Sequence, residues 1–439
     1  GKFYTSEDAD FEILIHLLQF VSSHLPDYHA LAINGCFFHS AGSSIVQELG
    51  YSLALANDYL SRVTDSGLKV DTVCHHLRFN LEIGSNYFME IAKLRAARFL
   101  WAKIVEAYHP EKEESKKLYI HSITSDWNQT LFDPYMNVLR GTTESMSAVI
   151  GGTDSLLVRP FTDSYKPTTK FSDRLARNIQ IILSEEAYLG KVADPGAGSY
   201  YIENLTDSII DKAWKIFLNV EAEGGYLQAL KKGIVQSDIE KTAQLRNHLI
   251  ATQREVMVGT NQYPDFNESM KHEINEEIAF PDTPVKNAII TPLKKYRYSM
   301  EFEKLRLATE RHTHRPKVFM LTFGDLSMRR ARATFSCNFF ACAGYEVIDN
   351  PGFSSVKEGA KAAQKVNADI VVLCSSDDEY ATLTAEDLLL LRDNAILVVA
   401  GAPKCMDELK SKGIENYIHM RSNILETLSY YHQILGISI

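Results

Sequence analysis

The sequence contains no run of about 18 uncharged apolar residues, the length a membrane-crossing helix needs. Its first residues, Gly1, Lys2, Phe3, Tyr4 and Thr5, lack the basic region and apolar core of a secretory signal. The expectation is a cytoplasmic protein with no membrane partner. Cysteine is sparse and dispersed: Cys36, Cys74, Cys337, Cys342, Cys374 and Cys405 form no C-x-x-C pair, and the histidines do not cluster at zinc spacing. Reduced thiols buried in apolar runs and no bound metal are the reading. Basic residues are in deficit, 46 Lys and Arg against 56 Asp and Glu, a formal charge of -10. That balance argues against nucleic acid as the partner, because phosphate binding needs a concentrated basic face.

What is present is an ordinary globular composition. With 439 residues, 45% hydrophobic and 23% charged, the chain is long enough for two or three domains with sizeable cores.

Short β-rich runs alternate with long helical patterns through the first two hundred residues. The strand candidates are 29–34, 118–124, 156–159 and 192–195. Two helical stretches lie between the first two, and the second, 82–108, sets Ile83, Tyr87, Ile91, Leu94, Phe99, Ile104 and Val105 near one stripe that should pack on a sheet. Strands separated by helices at this spacing pair in parallel. A closed (β/α)8 barrel needs eight strands and about 250 residues, so residues 1–203 are expected to form only the second half of a TIM-type barrel. The chain opens on a helical pattern, Ser6, Asp8, then Phe11, Leu14, Ile15, Leu18 and Val21, as though inside a strand–helix alternation. The expectation is an amino-terminal truncation, with the open strand edges covered by another segment or chain.

Residues 204–260 read as a helical extension, with Gly224 and Gly225 between two helices. Residues 261–316 read as a linker, charged and irregular, with Pro264, Pro281, Pro284 and Pro292 and the basic Arg311, His312, His314 and Arg315. From 317 to 439, β runs recur at 318–323, 345–349, 369–374, 395–400 and 416–419. Five such units match a flavodoxin-like doubly wound sheet, in which ligands bind beyond the carboxyl ends of the strands at the topological switch point.

The first loop at that edge reads Asp325, Leu326, Ser327, Met328, Arg329, Arg330. On its own residues, Asp325 caps the following helix and the arginines are its solvated face; alternatively Arg329 or Arg330 meets an anion or a partner chain. After the third run come Cys374, Ser375, Ser376, Asp377 and Asp378, an acidic loop that caps the next helix, and after the fourth come Ala400 and Gly401.

Upstream stand the segments Asn34, Gly35, Cys36, Phe37, Phe38, His39, Ser40, Ala41, Gly42 and His75, His76, Leu77, Arg78, Phe79, Asn80. Further on stand Asp133, Pro134, Tyr135; Gly151, Gly152, Thr153, Asp154, Ser155; the run 174–186; and Val192, Ala193, Asp194, Pro195, Gly196, Ala197, Gly198, Ser199, Tyr200, Tyr201. Over residues 31–263 the sequence resembles the barrel of methylmalonyl-CoA mutase, and from 318 to the end it resembles the carboxy-terminal domain of the adenosylcobalamin-dependent acyl-CoA mutases.

The resemblance implies which roles have been lost. In the family's D-x-H-x-x-G loop the histidine ligates cobalt, the aspartate fixes its tautomer, and the glycine lets backbone approach the cofactor. Ser327 stands at the histidine and Arg330 at the glycine, with Asp325 retained. The paired glycines of the nucleotide-tail pocket become Ala400 and Gly401. Phe37 stands at the histidine that stabilises charge over the substrate thioester, and a phenyl ring donates nothing. His39, two residues on, is expected to be a surface histidine. His76 stands for an arginine that contacts coenzyme A, a loss of fork geometry that Arg78 offsets in part. His121 matches a substrate-lining histidine, with Ile123 at the neighbouring glutamine.

Retained scaffold with lost chemistry implies no catalytic residue, no cofactor site and no metal in this chain. The implied role is the non-catalytic smaller subunit of a heterodimeric mutase, whose catalytic large subunit holds adenosylcobalamin and interconverts methylmalonyl-CoA and succinyl-CoA. The rival readings are an active acyl-CoA mutase with an unusual cobalamin site, and a stand-alone regulatory binding protein.

Overall fold

The computed structural model describes residues 2–281, 288–392 and 395–438. Pro284, one of the prolines in the expected linker, lies outside the described residues.

The strands are β1 (Leu31–Asn34), β2 (Leu77–Ile83), β3 (Ile120–Thr124), β4 (Ser155–Leu157), β5 (Lys317–Thr322), β6 (Glu346–Ile348), β7 (Ile370–Cys374), β8 (Ile396–Ala400) and β9 (Asn416–Ile418). They form two all-parallel sheets, one ordered β1-β2-β3-β4 and the other β6-β5-β7-β8-β9. The protein is therefore a mixed α/β chain built on parallel sheets.

It divides into two compact units. One comprises Gly1–Gln129, Asn137–Arg246 and Asn275–Tyr298, and the other Thr130–Met136, Asn247–Ile274 and Ser299–Ile439.

In the first unit the register pairs Leu31 with Leu77, Phe79 with Ile120, and Ser122 with Leu156. Ile33, Phe79, Leu81 and Ile120 are fully buried and join Leu49, Leu53, Ala97 and Trp101 of the flanking helices in one core. The Ile45–Asp65 helix starts at a capping box: Ser44 Oγ accepts the Gln47 amide at 3.2 Å, and the Gln47 side chain accepts the Ser44 amide at 2.9 Å. Its first turn is thereby fixed at the carboxyl end of β1, which sets Glu48 against the strand ends.

Two readings of this unit need correction. Residues 192–195 form no strand: a 3-10 turn covers Leu189–Lys191, and Val192 beyond it is 61% exposed. Among the described residues no strand pairs with them, and an unpaired extended segment is not a strand. The missing strand is β2, whose Leu77-Arg78-Phe79-Asn80-Leu81-Glu82-Ile83 alternates apolar and polar residues with the period of a strand. The helix that follows begins at Tyr87, not at 82, and buries Ile91, Leu94, Ile104 and Val105 as its stripe requires, while Phe99 is half exposed.

In the second unit all five expected β runs are strands. Val318 to Thr322, all of β7 and Leu397 to Ala400 are buried end to end, as continuous apolar strands covered on both faces are. Leu321, Val371, Leu373 and Val399 pack with Ala360, Tyr380 and Leu388 in a second core. None of the six cysteines forms a disulfide; Cys74, Cys337, Cys342 and Cys374 are buried, and Cys36 and Cys405 partly so. Among the described residues, no helix is long and apolar enough to cross a membrane.

Candidate functional site

Ligands of parallel α/β sheets collect at the carboxyl ends of the strands, and each unit has one such edge.

At the edge of the first sheet, β1 runs through Gly35 into the short Cys36–Ser40 helix. A Cβ on Gly35 would lie 2.6 Å from Ser52 Oγ, so only glycine lets that turn sit against the next helix. Phe37 projects outward, 67% exposed. It borders a cavity of about 380 Å³ whose other walls include Phe38, Tyr226 and Leu293, with Glu82 and Arg159 also lining it.

His39 is not the surface histidine that its position implied. It is 5% exposed, with Nε2 2.8 Å from Ser125 Oγ and Nδ1 3.5 Å from the Glu48 carboxylate. The segment coils into a helix after β1 instead of continuing as strand, which turns His39 inward. Burial works against its proton, but the Glu48 bond and the Glu82 charge outweigh burial and raise its pKa above the usual value.

Around His39 lies a network of buried charges. Lys93, with no exposed side-chain surface, sits 2.8 Å from Glu48 and 2.7 Å from Glu90, and donates to the Glu82 carbonyl. Glu82, also fully buried, meets Arg159 at 3.2 Å and accepts from Ser40 Oγ at 3.3 Å. Burial, with the Asp126 charge added, pushes the Glu82 carboxyl up to about 7 against the pull of His39 and Arg159. Asp126 goes the other way: burial opposes its charge, but Arg159 and Lys295 together hold it below the usual range, and Lys295 is its ion-pair partner. Burial, then the nearby Glu90, raises Glu144 well above the carboxylate range, and Asn128 donates to it.

Acids and bases here satisfy one another across β2, the helices Ile45–Asp65 and Tyr87–Glu106, and the loops after β3 and β4. The arrangement ties strand ends together, and Glu82 can hold a proton near neutrality. Sequence reading missed this network. The available signal was Glu90 and Lys93 sitting beside Ile91 and Leu94, on the stripe that had to be buried.

The other residues singled out in this unit act locally. His76 is 2% exposed and its Nδ1 lies 2.7 Å from the Tyr28 carbonyl, a tie between chain segments. His121 pairs through Nδ1 with Ser155 Oγ at 2.7 Å, joining β3 to β4, and burial, then the Arg78 charge, lowers its pKa.

At the carboxyl edge of the second sheet, Asp325 is the N-cap of the Leu326–Ala341 helix and accepts the Met328 amide at 2.8 Å. Ser327 and Arg330 lie exposed near the start of that helix. Arg329 turns back to donate to the Gly324 and Pro351 carbonyls, each at 3.1 Å. Ser376 and Glu379 form a capping box that opens the Asp377–Ala381 helix. Burial opposes the Glu379 charge, yet the bonds from Ser375, Ser376 and the Asp325 amide hold its carboxyl below the usual value. Asp325, Ser327 and Arg330 thus stand together at the start of one helix, while Phe37 belongs to the other unit.

Two parallel sheets, one with its strand ends bound in ion pairs and the other with its first loop folded into a helix cap, define a mixed α/β protein with two ligand-type edges. Residues 1–335 match the family described as methylmalonyl-CoA mutase. The chain is 49% identical over 414 residues to the methylmalonyl-CoA mutase small subunit of Porphyromonas gingivalis, covering 94% of this chain and 67% of that one. It is 34% identical over 379 residues to the methylmalonyl-CoA mutase small subunit of Streptomyces virginiae, covering 85% and 60%. Against the mitochondrial methylmalonyl-CoA mutase of Bos taurus it is 38% identical over 295 residues, covering 67% and 39%.

The chain belongs to the methylmalonyl-CoA mutase family. Within it, the chain is similar to proteins named as small subunits, and it spans about two thirds of the length of the first of these and 60% of the second.

Proposed function

We propose that this chain is a non-catalytic small subunit of a heterodimeric methylmalonyl-CoA mutase, working in the cytoplasm beside a large subunit that holds adenosylcobalamin and isomerises methylmalonyl-CoA and succinyl-CoA. The observation that carries the reading is Phe37. At the point where the family's histidine would face the thioester, an exposed phenyl ring borders the cavity, and the histidine two residues on is turned inward and bound to Ser125 and Glu48.

The second edge supports the same conclusion. Ser327 offers a hydroxyl where cobalt needs an imidazole, and Asp325 spends its carboxylate on the Met328 amide instead of orienting a ligand. These residues do not fit a cobalamin, so no step is assigned to one in this chain. The reading includes the architecture: β1 to β4 as part of a (β/α)8 barrel over 1–203, a helical extension over 204–260, a linker over 261–316, and a flavodoxin-like, cobalamin-binding-type domain over 317–439. The order of the second sheet, 2-1-3-4-5 in the numbering of its own strands, supports the last of these.

The test is co-expression with a mutase large subunit from the same cells. The reading expects the two chains to co-purify in equal amounts through size-exclusion chromatography. Elution of this chain always alone, with no large subunit retained, would overturn it.

A further inference from the structure

The carboxyl edge of the second sheet is laced shut by three of its own charged side chains. Glycines at positive φ stand in the loops after β5, β6 and β8: Gly324 at 71°, Gly352 at 134° and Gly401 at 123°. Such bare backbone at a sheet's ligand edge normally leaves room for something to approach. Here each glycine is covered from within the chain. A Cβ on Gly324 would overlap the Glu379 carboxylate, one on Gly352 would lie 2.6 Å from the Arg329 guanidinium carbon, and one on Gly401 2.9 Å from that of Arg332.

The same side chains join the loops to one another. Arg329 links the loop after β5, through the Gly324 carbonyl, to the loop after β6, through the Pro351 carbonyl. Glu379 links the loop after β5, accepting the Asp325 amide at 2.8 Å, to the loop after β7, accepting the Ser376 amide at 3.1 Å. Arg332 pairs with Asp377 of that third loop while covering Gly401 of the fourth, and its guanidinium lies 4.9 Å from the centre of the buried Tyr380 ring.

We infer that Arg329, Arg332 and Glu379 occupy the ligand crevice of this domain as an internal substitute for a ligand. The domain is then closed by what fills it, not merely by the absence of an imidazole at Ser327. The inference rests on the reading of the chain as a subunit without its own cofactor, and it adds that restoring the lost motif residues alone would not recover binding.

The test uses the full chain and hydroxocobalamin, followed by visible spectroscopy. Wild type should show no saturable binding up to 100-fold molar excess; saturable micromolar binding would overturn both this inference and the subunit reading. The variant Ser327→His with Arg330→Gly should also fail to bind. If it binds at micromolar concentration, the lacing is not the barrier and this inference falls, while the subunit reading stands. Adding Arg329→Ala, Arg332→Ala and Glu379→Ala to that variant should produce saturable binding at micromolar concentration, and continued failure to bind overturns the inference. A second measurement needs no ligand: Arg329→Ala, Arg332→Ala and Glu379→Ala in the wild-type background should speed hydrogen exchange at the Asp325, Phe353, Ser376 and Gly401 amides at least tenfold, with β5 and β7 still protected. Unchanged exchange at those amides would also overturn it.

Discussion

The Lys93 ammonium lies 2.8 Å from a Glu48 carboxylate oxygen, and neither side chain has exposed surface. A charge pair so placed repays its desolvation only while both partners remain. Lys93→Met leaves Glu90 buried without its ion-pair partner and Glu48 with His39 alone, and should cost roughly 3–5 kcal/mol in urea unfolding. Adding Glu48→Gln and Glu90→Gln should recover a substantial part of that loss. A single-variant cost below about 1 kcal/mol would show that the network does not hold the strand ends.

Glu82 sets a pH dependence whose sign is fixed by its surroundings. Its carboxyl is raised from 4.5 to about 7 by burial and then by the Asp126 charge. Between those values the folded chain holds a proton that the unfolded chain has released. The stability Glu82 contributes is therefore fully present below pH 4.5 and is lost as pH rises through 7. Glu82→Gln removes this group, so the variant should gain on wild type between pH 5 and pH 8 by on the order of 2–3 kcal/mol. Equal pH profiles for the two proteins would contradict the assignment.

Asp325 caps the Leu326–Ala341 helix through the Met328 amide. Asp325→Ala should lower stability by about 1 kcal/mol, and Asp325→Asn by less, because asparagine caps almost as well. Denaturant midpoints of the two variants decide it: equal losses would mean that the charge, not the cap, is what matters.

The second sheet was legible because β5, β7 and β8 carry the apolar runs 318–321, Ile370–Cys374 and Ile396–Ala400 between turn residues, a pattern that burial on both faces produces. β2 was hidden by its own polar half. Asn80 and Glu82 are buried in it, and such residues read as the solvent side of a helix when their partners are unknown. Those partners, Asn34 for Asn80 and Arg159 for Glu82, stand 46 and 77 residues away.

The candidate sites divided in the same way. The cap at Asp325 could be read locally, since an N-cap depends on the next three residues. The inward turn of His39 could not, because it depends on Ser125 and Glu48. Nor could the burial of Lys93, whose ligating carboxylates come from two helices. The lacing of Arg329, Arg332 and Glu379 joins four loops that only the strand order brings together.

In the proposed role this chain does not carry out the family's chemistry itself. The direct measurement is turnover of methylmalonyl-CoA by the purified chain alone, supplied with saturating adenosylcobalamin, beside the same assay on its complex with a mutase large subunit. The expected result is no succinyl-CoA from the chain alone, and activity from the complex that Phe37→Ala in this chain leaves within about twofold. Succinyl-CoA formed by the chain alone, in proportion to its concentration, would contradict it.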